Sequence, residues 1–180
     1  MDELEPVIAE VERHVHAAGW DQGPSLFALV RAAQFTLDDP QTARRLGLDQ
    51  VAGDVLTPIE QQKLPEEPLD EVLAGIAWPP GVEGCAVSQE IVILPPSAEA
   101  ALTADDLTGD ESTGDQIARA ADHPDRREAR LVAGVLRDGS SAVLLRMRSA
   151  DGRADDEYDD LLTGPDLAPN LVAALHATLA

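Results

Sequence analysis

Apolar positions at the start of the chain fall at helical spacing. Leu4, Val7, Ile8, Val11, Val15 and Ala18 recur three and four residues apart, which predicts an amphipathic helix over 3–18 that Gly19 ends. Ser25-Leu26-Phe27-Ala28-Leu29-Val30 is a short apolar run and predicts a strand. Asp39-Pro40 supplies an N-cap and a proline at the first helical position, so a short helix is expected to about Leu46, with Gly47 as its stop. Thr57-Pro58-Ile59-Glu60 has the spacing of a capping box and predicts a further helix start. Leu69, Val72, Leu73 and Ile76 mark one more short helix, which Trp78-Pro79-Pro80-Gly81 terminates. Residues 85–94, richest in β-branched side chains at Ile91-Val92-Ile93, predict a strand closed by Pro95-Pro96. A brief helix is expected at 115–121. Asp138-Gly139 lies between two apolar runs and predicts a hairpin over 128–148. The chain ends in a helix from about Asp166, with Leu167, Leu171, Val172, Leu175 and Leu179 on one face.

Strands that do not alternate regularly with long helices argue against a doubly wound parallel sheet. The expected class is α+β. A mainly antiparallel sheet of four or five strands would pack with N- and C-terminal helices and short intervening ones, as a single domain over 1–180. Two acidic segments, about 103–115 with five acids and no base and about 150–160 with six acids against Arg153, read as mobile.

Charge narrows the function classes. The chain has 34 acidic and 13 basic residues, a net charge of −21. Binding to a nucleic-acid backbone or to an anionic membrane needs the opposite sign, so neither partner is expected, and a basic protein partner, or mere solubility, is the permitted reading. No apolar run approaches the ~20 residues of a membrane span. The acidic start MDELEPVIAEVE is unlike a secretory signal. With a single cysteine, Cys85, that cannot form an intrachain disulfide, the expected location is cytoplasmic.

Candidate chemistry is sparse. His14 and His16 lie about 200° apart on a helix and cannot share a metal as neighbours; Glu10 and Glu12, each four residues before one of them, are the expected surface partners. Cys85, bordered by Gly84, Ala86 and Val87, reads as a buried thiol. Neither acidic segment has the spacing of a calcium loop. Phosphate-loop, nucleophile-elbow, zinc-helix and dinucleotide signatures do not occur. No metal and no cofactor is called for.

The exception to the overall acidity is the hairpin. Six of the twelve arginines fall within 126–148, against only Glu128 and Asp138. A two-residue turn at Asp138-Gly139 would set Val135 opposite Ala142, Leu131 opposite Arg146 and Ala129 opposite Arg148. Arg146 and Arg148 would then extend the Leu131/Ala133/Val135 face, with Arg130 on the other. Guanidinium groups suit phosphate and carboxylate, so Arg126, Arg127, Arg146 and Arg148, with His123 as a proton donor or acceptor, form a candidate anion site. The alternative, and the favoured one, is neutralisation by acids at 103–115, 122–128 or 150–160.

Several stretches taken together carry a resemblance. They are Ala18-Gly19-Trp20-Asp21-Gln22-Gly23-Pro24 leading into Leu26-Phe27-Ala28-Leu29-Val30, Leu56-Thr57-Pro58-Ile59-Glu60-Gln61, and Ile76-Ala77-Trp78-Pro79. His123-Pro124-Asp125-Arg126-Arg127-Glu128 running into Val135-Leu136-Arg137-Asp138-Gly139, and Leu162-Thr163-Gly164-Pro165-Asp166-Leu167, complete them. Over nearly its whole length the chain resembles an actinobacterial family of uncharacterised acidic single-domain proteins. That resemblance implies a bacterial cytoplasmic protein and brings no activity with it. The expected function is a non-catalytic interaction or chaperone-like domain. The rival expectation is a binding protein or enzyme acting on a small anionic ligand through the arginine-rich hairpin.

Overall fold

The structure, a computed structural model, describes residues 3–93, 126–148 and 161–180. His123, the acidic segments about 103–115 and 150–160, and the helix expected at 115–121 lie outside them.

Helix α1 (Leu4–Ala17) is followed by β1 (Ser25–Arg31), α2 (Ala32–Asp38), α3 (Pro40–Leu46), β2 (Leu56–Glu60) and α4 (Leu69–Ala74). Then come β3 (Gly84–Ile93), β4 (Arg127–Leu136), β5 (Ser141–Met147), β6 (Leu161–Thr163) and α5 (Pro169–Thr178). The fold is α+β. Its six strands form one antiparallel sheet in the order β2-β1-β3-β4-β5-β6.

The sheet is covered on both faces. Helix α1 lays Leu4, Ile8, Val11 and Val15 on Phe27, Leu29, Ala86, Val132 and Leu144. On the opposite face Leu175 of α5, Leu179 just after it and Leu73 of α4 pack against Cys85, Val87, Leu131, Ala133, Val135 and Val143. Burial on both faces explains why β1 and β4 read as nearly continuous apolar runs rather than alternating ones.

The local signals around α3 act as expected. The Asp39 carboxylate accepts from the Thr42 N–H at 3.0 Å, Pro40 opens the helix, and Gly47 closes it at φ 72°. Thr57-Pro58-Ile59-Glu60, by contrast, forms an edge strand and not a helix. Gln61 N donates to Leu26 O at 2.8 Å, so ladder alternation turns the Pro58 nitrogen outward, where a missing N–H costs no bond. The open flank of β1 thus overrode a three-residue capping signature. Helix α5 starts at Pro169 rather than near Asp166, and Leu167 stays 42% exposed outside the apolar face.

The hairpin forms, one residue out of the expected register. Val135 pairs with Ser141, Leu131 with Leu145 and Arg130 with Arg146. The turn has three residues, Arg137-Asp138-Gly139: Leu136 N donates to Ser140 O at 2.9 Å, and Gly139 takes φ 93°, a conformation glycine adopts without strain. A one-residue slip exchanges the faces of every later side chain. Arg146 therefore lies on the α1 face beside Arg130, not opposite Leu131.

Candidate functional site

The corrected register collects three arginines at one end of the α1 face. Arg146 meets Glu12 of α1 in a bidentate pair: its Nε donates to Oε1 and its Nη2 to Oε2, the latter at 2.8 Å. Both side chains are buried, Glu12 at 1% and Arg146 at 7% exposure. Holding the charged form in place, Glu12 raises the guanidinium above its ordinary range. Glu12 thus faces inward and is unavailable to His16, the partner expected from the four-residue spacing.

Arg130 is fully buried. It donates to the Gly19 carbonyl, to Glu90 Oε1 at 3.2 Å, and lies 3.4 Å from His16 Nδ1. Its guanidinium carbon stands 4.4 Å from the centre of the Trp20 ring, and that of Arg148 stands 5.4 Å from it. Both distances suit cation–π attraction. Arg148 also donates to Asp21 Oδ1 at 3.0 Å and to Glu128 Oε2 at 2.7 Å. The Glu90 carboxylate accepts from the backbone N–H groups of Asp21 and Gln22, each at 3.1 Å. These contacts hold Asp21 at φ 64°, a left-handed conformation uncommon outside glycine. The arginines of the hairpin therefore fasten the α1–β1 connection to the sheet.

Arg146 and Arg148 find their carboxylates in Glu12, Asp21 and Glu128. An anion arriving at either must displace one of these partners. Arg126 precedes β4, Arg127 opens it opposite Ile93, and both are exposed and engaged in interactions of their own. Arg137, also in the hairpin, donates to the Val82 carbonyl at 2.8 Å and to that of Leu179, tying the end of α5 to the sheet. Sequence reasoning missed Glu12, Glu90, Trp20 and Asp21 as arginine partners. The one available signal was a glutamate whose position falls next to Val11 and Val15 on the buried side of α1.

The remaining candidates are structural. His14 lies 3.0 Å from Glu60 rather than pairing with Glu10, and meets Phe27 edge-on at 6.1 Å. The Cys85 thiol is buried 3.4 Å from the Thr178 hydroxyl, and burial pushes its pKa up, away from the nucleophilic thiolate. Among the described residues, no group of three or more His, Cys, Asp and Glu is placed to hold a metal, and no helix is long and apolar enough to cross a membrane.

The Arg148 pair makes acid behaviour testable. Hydrogen bonding from Arg148 holds the exposed Asp21 carboxyl below its ordinary range. The pair's contribution is complete above the ordinary aspartate range, near pH ~4, and is lost as pH falls through the depressed value. Acidification below pH ~4 is therefore expected to loosen Trp20 and shift its emission. In a Trp78→Phe background, the same emission curve from the wild-type residue and from Asp21→Asn would refute this.

Beside the arginines, the edge of the sheet leaves a groove of about 530 Å³ between the first turns of α1 and β5–β6. Pro6, Ile8 and Ala9 form one wall, and Ala142, Leu144 and Thr163 the other. Among the described residues, Glu5 is its one ionisable lining residue. A second groove of about 440 Å³ lies on the opposite flank of α1, but Glu3, Glu10, Arg13, Arg31 and Asp54 give it a charged lining.

The family model described as PPA1309-like protein matches residues 4–180, and the chain belongs to that family. No curated protein and no solved structure matches it.

Proposed function

We propose that this member of the PPA1309-like family is a non-catalytic protein-interaction domain, of adaptor or chaperone-like type. Its docking surface is the groove between α1 and β5–β6. The observation that carries this reading is an apolar groove of about 530 Å³ opening at an edge of the sheet, with a single ionisable group in its lining among the described residues. Such a surface suits recognition by shape and burial rather than catalysis. Leu161 of β6, 38% exposed and on the same face of the sheet as Thr163, extends the apolar surface beside it.

Other features point the same way. Arg146 and Arg148 are occupied by carboxylates, and the thiol of Cys85 is buried. A net charge of −21 favours a basic partner and speeds its encounter.

The test is photo-crosslinking in the native cell. A photoreactive phenylalanine analogue at Ala9, in the groove wall, is expected to give one discrete protein adduct. The same group at Glu66, between β2 and α4, is expected to give none. Identical adducts from both positions, or none from Ala9, would exclude the groove as a docking surface.

A further inference from the structure

The outer edge of β6 adds a second element to the groove, and its proposed role rests on the docking function assigned to that groove. Gly164 N donates to Val143 O at 3.2 Å. Antiparallel bonding alternates along a ladder, so the backbone groups of Leu162 also face β5, whereas those of Leu161 and Thr163 face outward. Among the described residues no strand pairs with that outer side. Thr163 pairs with Leu144, a residue of the α1-side core, and its side chain lines the groove. Outward backbone donors and acceptors therefore stand directly beside an apolar trough. Glu5 has no ion-pair partner among the described residues and lines the same trough.

We propose that β6 accepts an extended segment of a partner protein as an added seventh strand. Alternate apolar side chains of that segment enter the groove and a Lys or Arg faces Glu5. Main-chain bonding to Leu161 and Thr163 supplies affinity, and the groove and Glu5 supply selectivity. The charge of the whole chain acts in the same direction as Glu5, repelling acidic segments and attracting basic ones. A helix seated in the groove would leave the outward backbone groups of β6 unmet, which is why an extended segment fits better.

Thr163→Pro separates this mechanism from a folding defect. Its N–H points away from β5, so proline removes a donor that no strand among the described residues uses, at an edge position where proline is tolerated. Random decapeptides displayed on phage would be selected on the full wild-type chain, and the most enriched peptide synthesised and titrated by fluorescence polarisation. The expected peptide alternates apolar residues with polar ones and carries Lys or Arg. Thr163→Pro should weaken it by about tenfold or more, with an unchanged melting midpoint. Glu5→Gln should weaken it about threefold, and Glu66→Gln not at all. Methylating alternate backbone nitrogens of the peptide should abolish binding in one of the two registers.

Enriched peptides without alternation, no enrichment, or equal binding to Thr163→Pro would each overturn strand addition. So would concentration-dependent self-association that Thr163→Pro abolishes, which would assign the edge to a second copy of this chain. Loss of strand addition alongside a discrete crosslink from Ala9 would remove this mechanism and leave the docking groove standing. Loss of the crosslink would remove the groove itself.

Discussion

Replacing Glu12 with alanine is expected to destabilise the protein by about 3–5 kcal/mol, because it strands a buried guanidinium without its carboxylate. Arg146 is 7% exposed and Glu12 1%, so water cannot readily take the place of the lost partner. Against a typical domain stability of ~5–15 kcal/mol this is a large fraction. For a chain of this size the melting midpoint should fall by roughly 6–20 °C. The partner experiment removes both charges. Glu12→Leu combined with Arg146→Met fills similar space with apolar atoms and leaves no orphan, so most of the loss should be recovered, as replacing a buried pair by apolar residues is often neutral or better. A midpoint unchanged in Glu12→Ala would mean that the pair is solvated in solution. Failure of the double variant to recover would point to a packing role for the carboxylate beyond its charge.

Leu175→Ala is expected to cost about 2–5 kcal/mol by opening a cavity between α5 and the sheet. Leu175 is fully buried and packs in the cluster that includes Leu73, Cys85, Ala133 and Val143. Leu167, in the 3-10 turn before α5, is 42% exposed and belongs to no buried cluster. Its alanine variant should change stability by no more than about 0.5 kcal/mol. Leu171, half-buried at the rim of the same cluster, should fall between the two. Chemical denaturation of the three variants measures the order directly. Equal losses at Leu167 and Leu175 would show that the helix packs differently on the sheet.

These leucines show how far periodicity carries. Spacing of four residues placed Leu167, Leu171, Leu175 and Leu179 on one stripe, and Leu175 of α5 and Leu179 at its C-cap are buried against the sheet. The same spacing cannot tell where the helix begins. Pro169 sets that point, and Leu167 is left before the first turn. Helix α1, α3 with its Asp39 cap and Gly47 stop, and strands β1, β3, β4 and β5 were all legible because their signals are local. Each is a periodicity, a cap or a turn residue within a few positions. Edge strands β2 and β6 were not legible. Five and three residues long, they exist because β1 and β5 offer them backbone partners distant in sequence. In β2 that offer outweighed a helix-start signature.

The arginine cluster divides in the same way. Composition alone located an unusual density of positive charge at 126–148 in an acidic chain. Which face each arginine takes depended on one residue in the turn: with three residues instead of two, Arg146 moves from the α5 face to the α1 face. Its partner then comes from 134 positions away, in Glu12, and the partners of Arg130 and Arg148 from the α1–β1 connection and β3. Local pattern determined that helices and a hairpin form and that the hairpin is basic. Tertiary structure alone decided which charges meet, because burial of a guanidinium demands a carboxylate in space, and chain neighbours on a strand point to opposite faces.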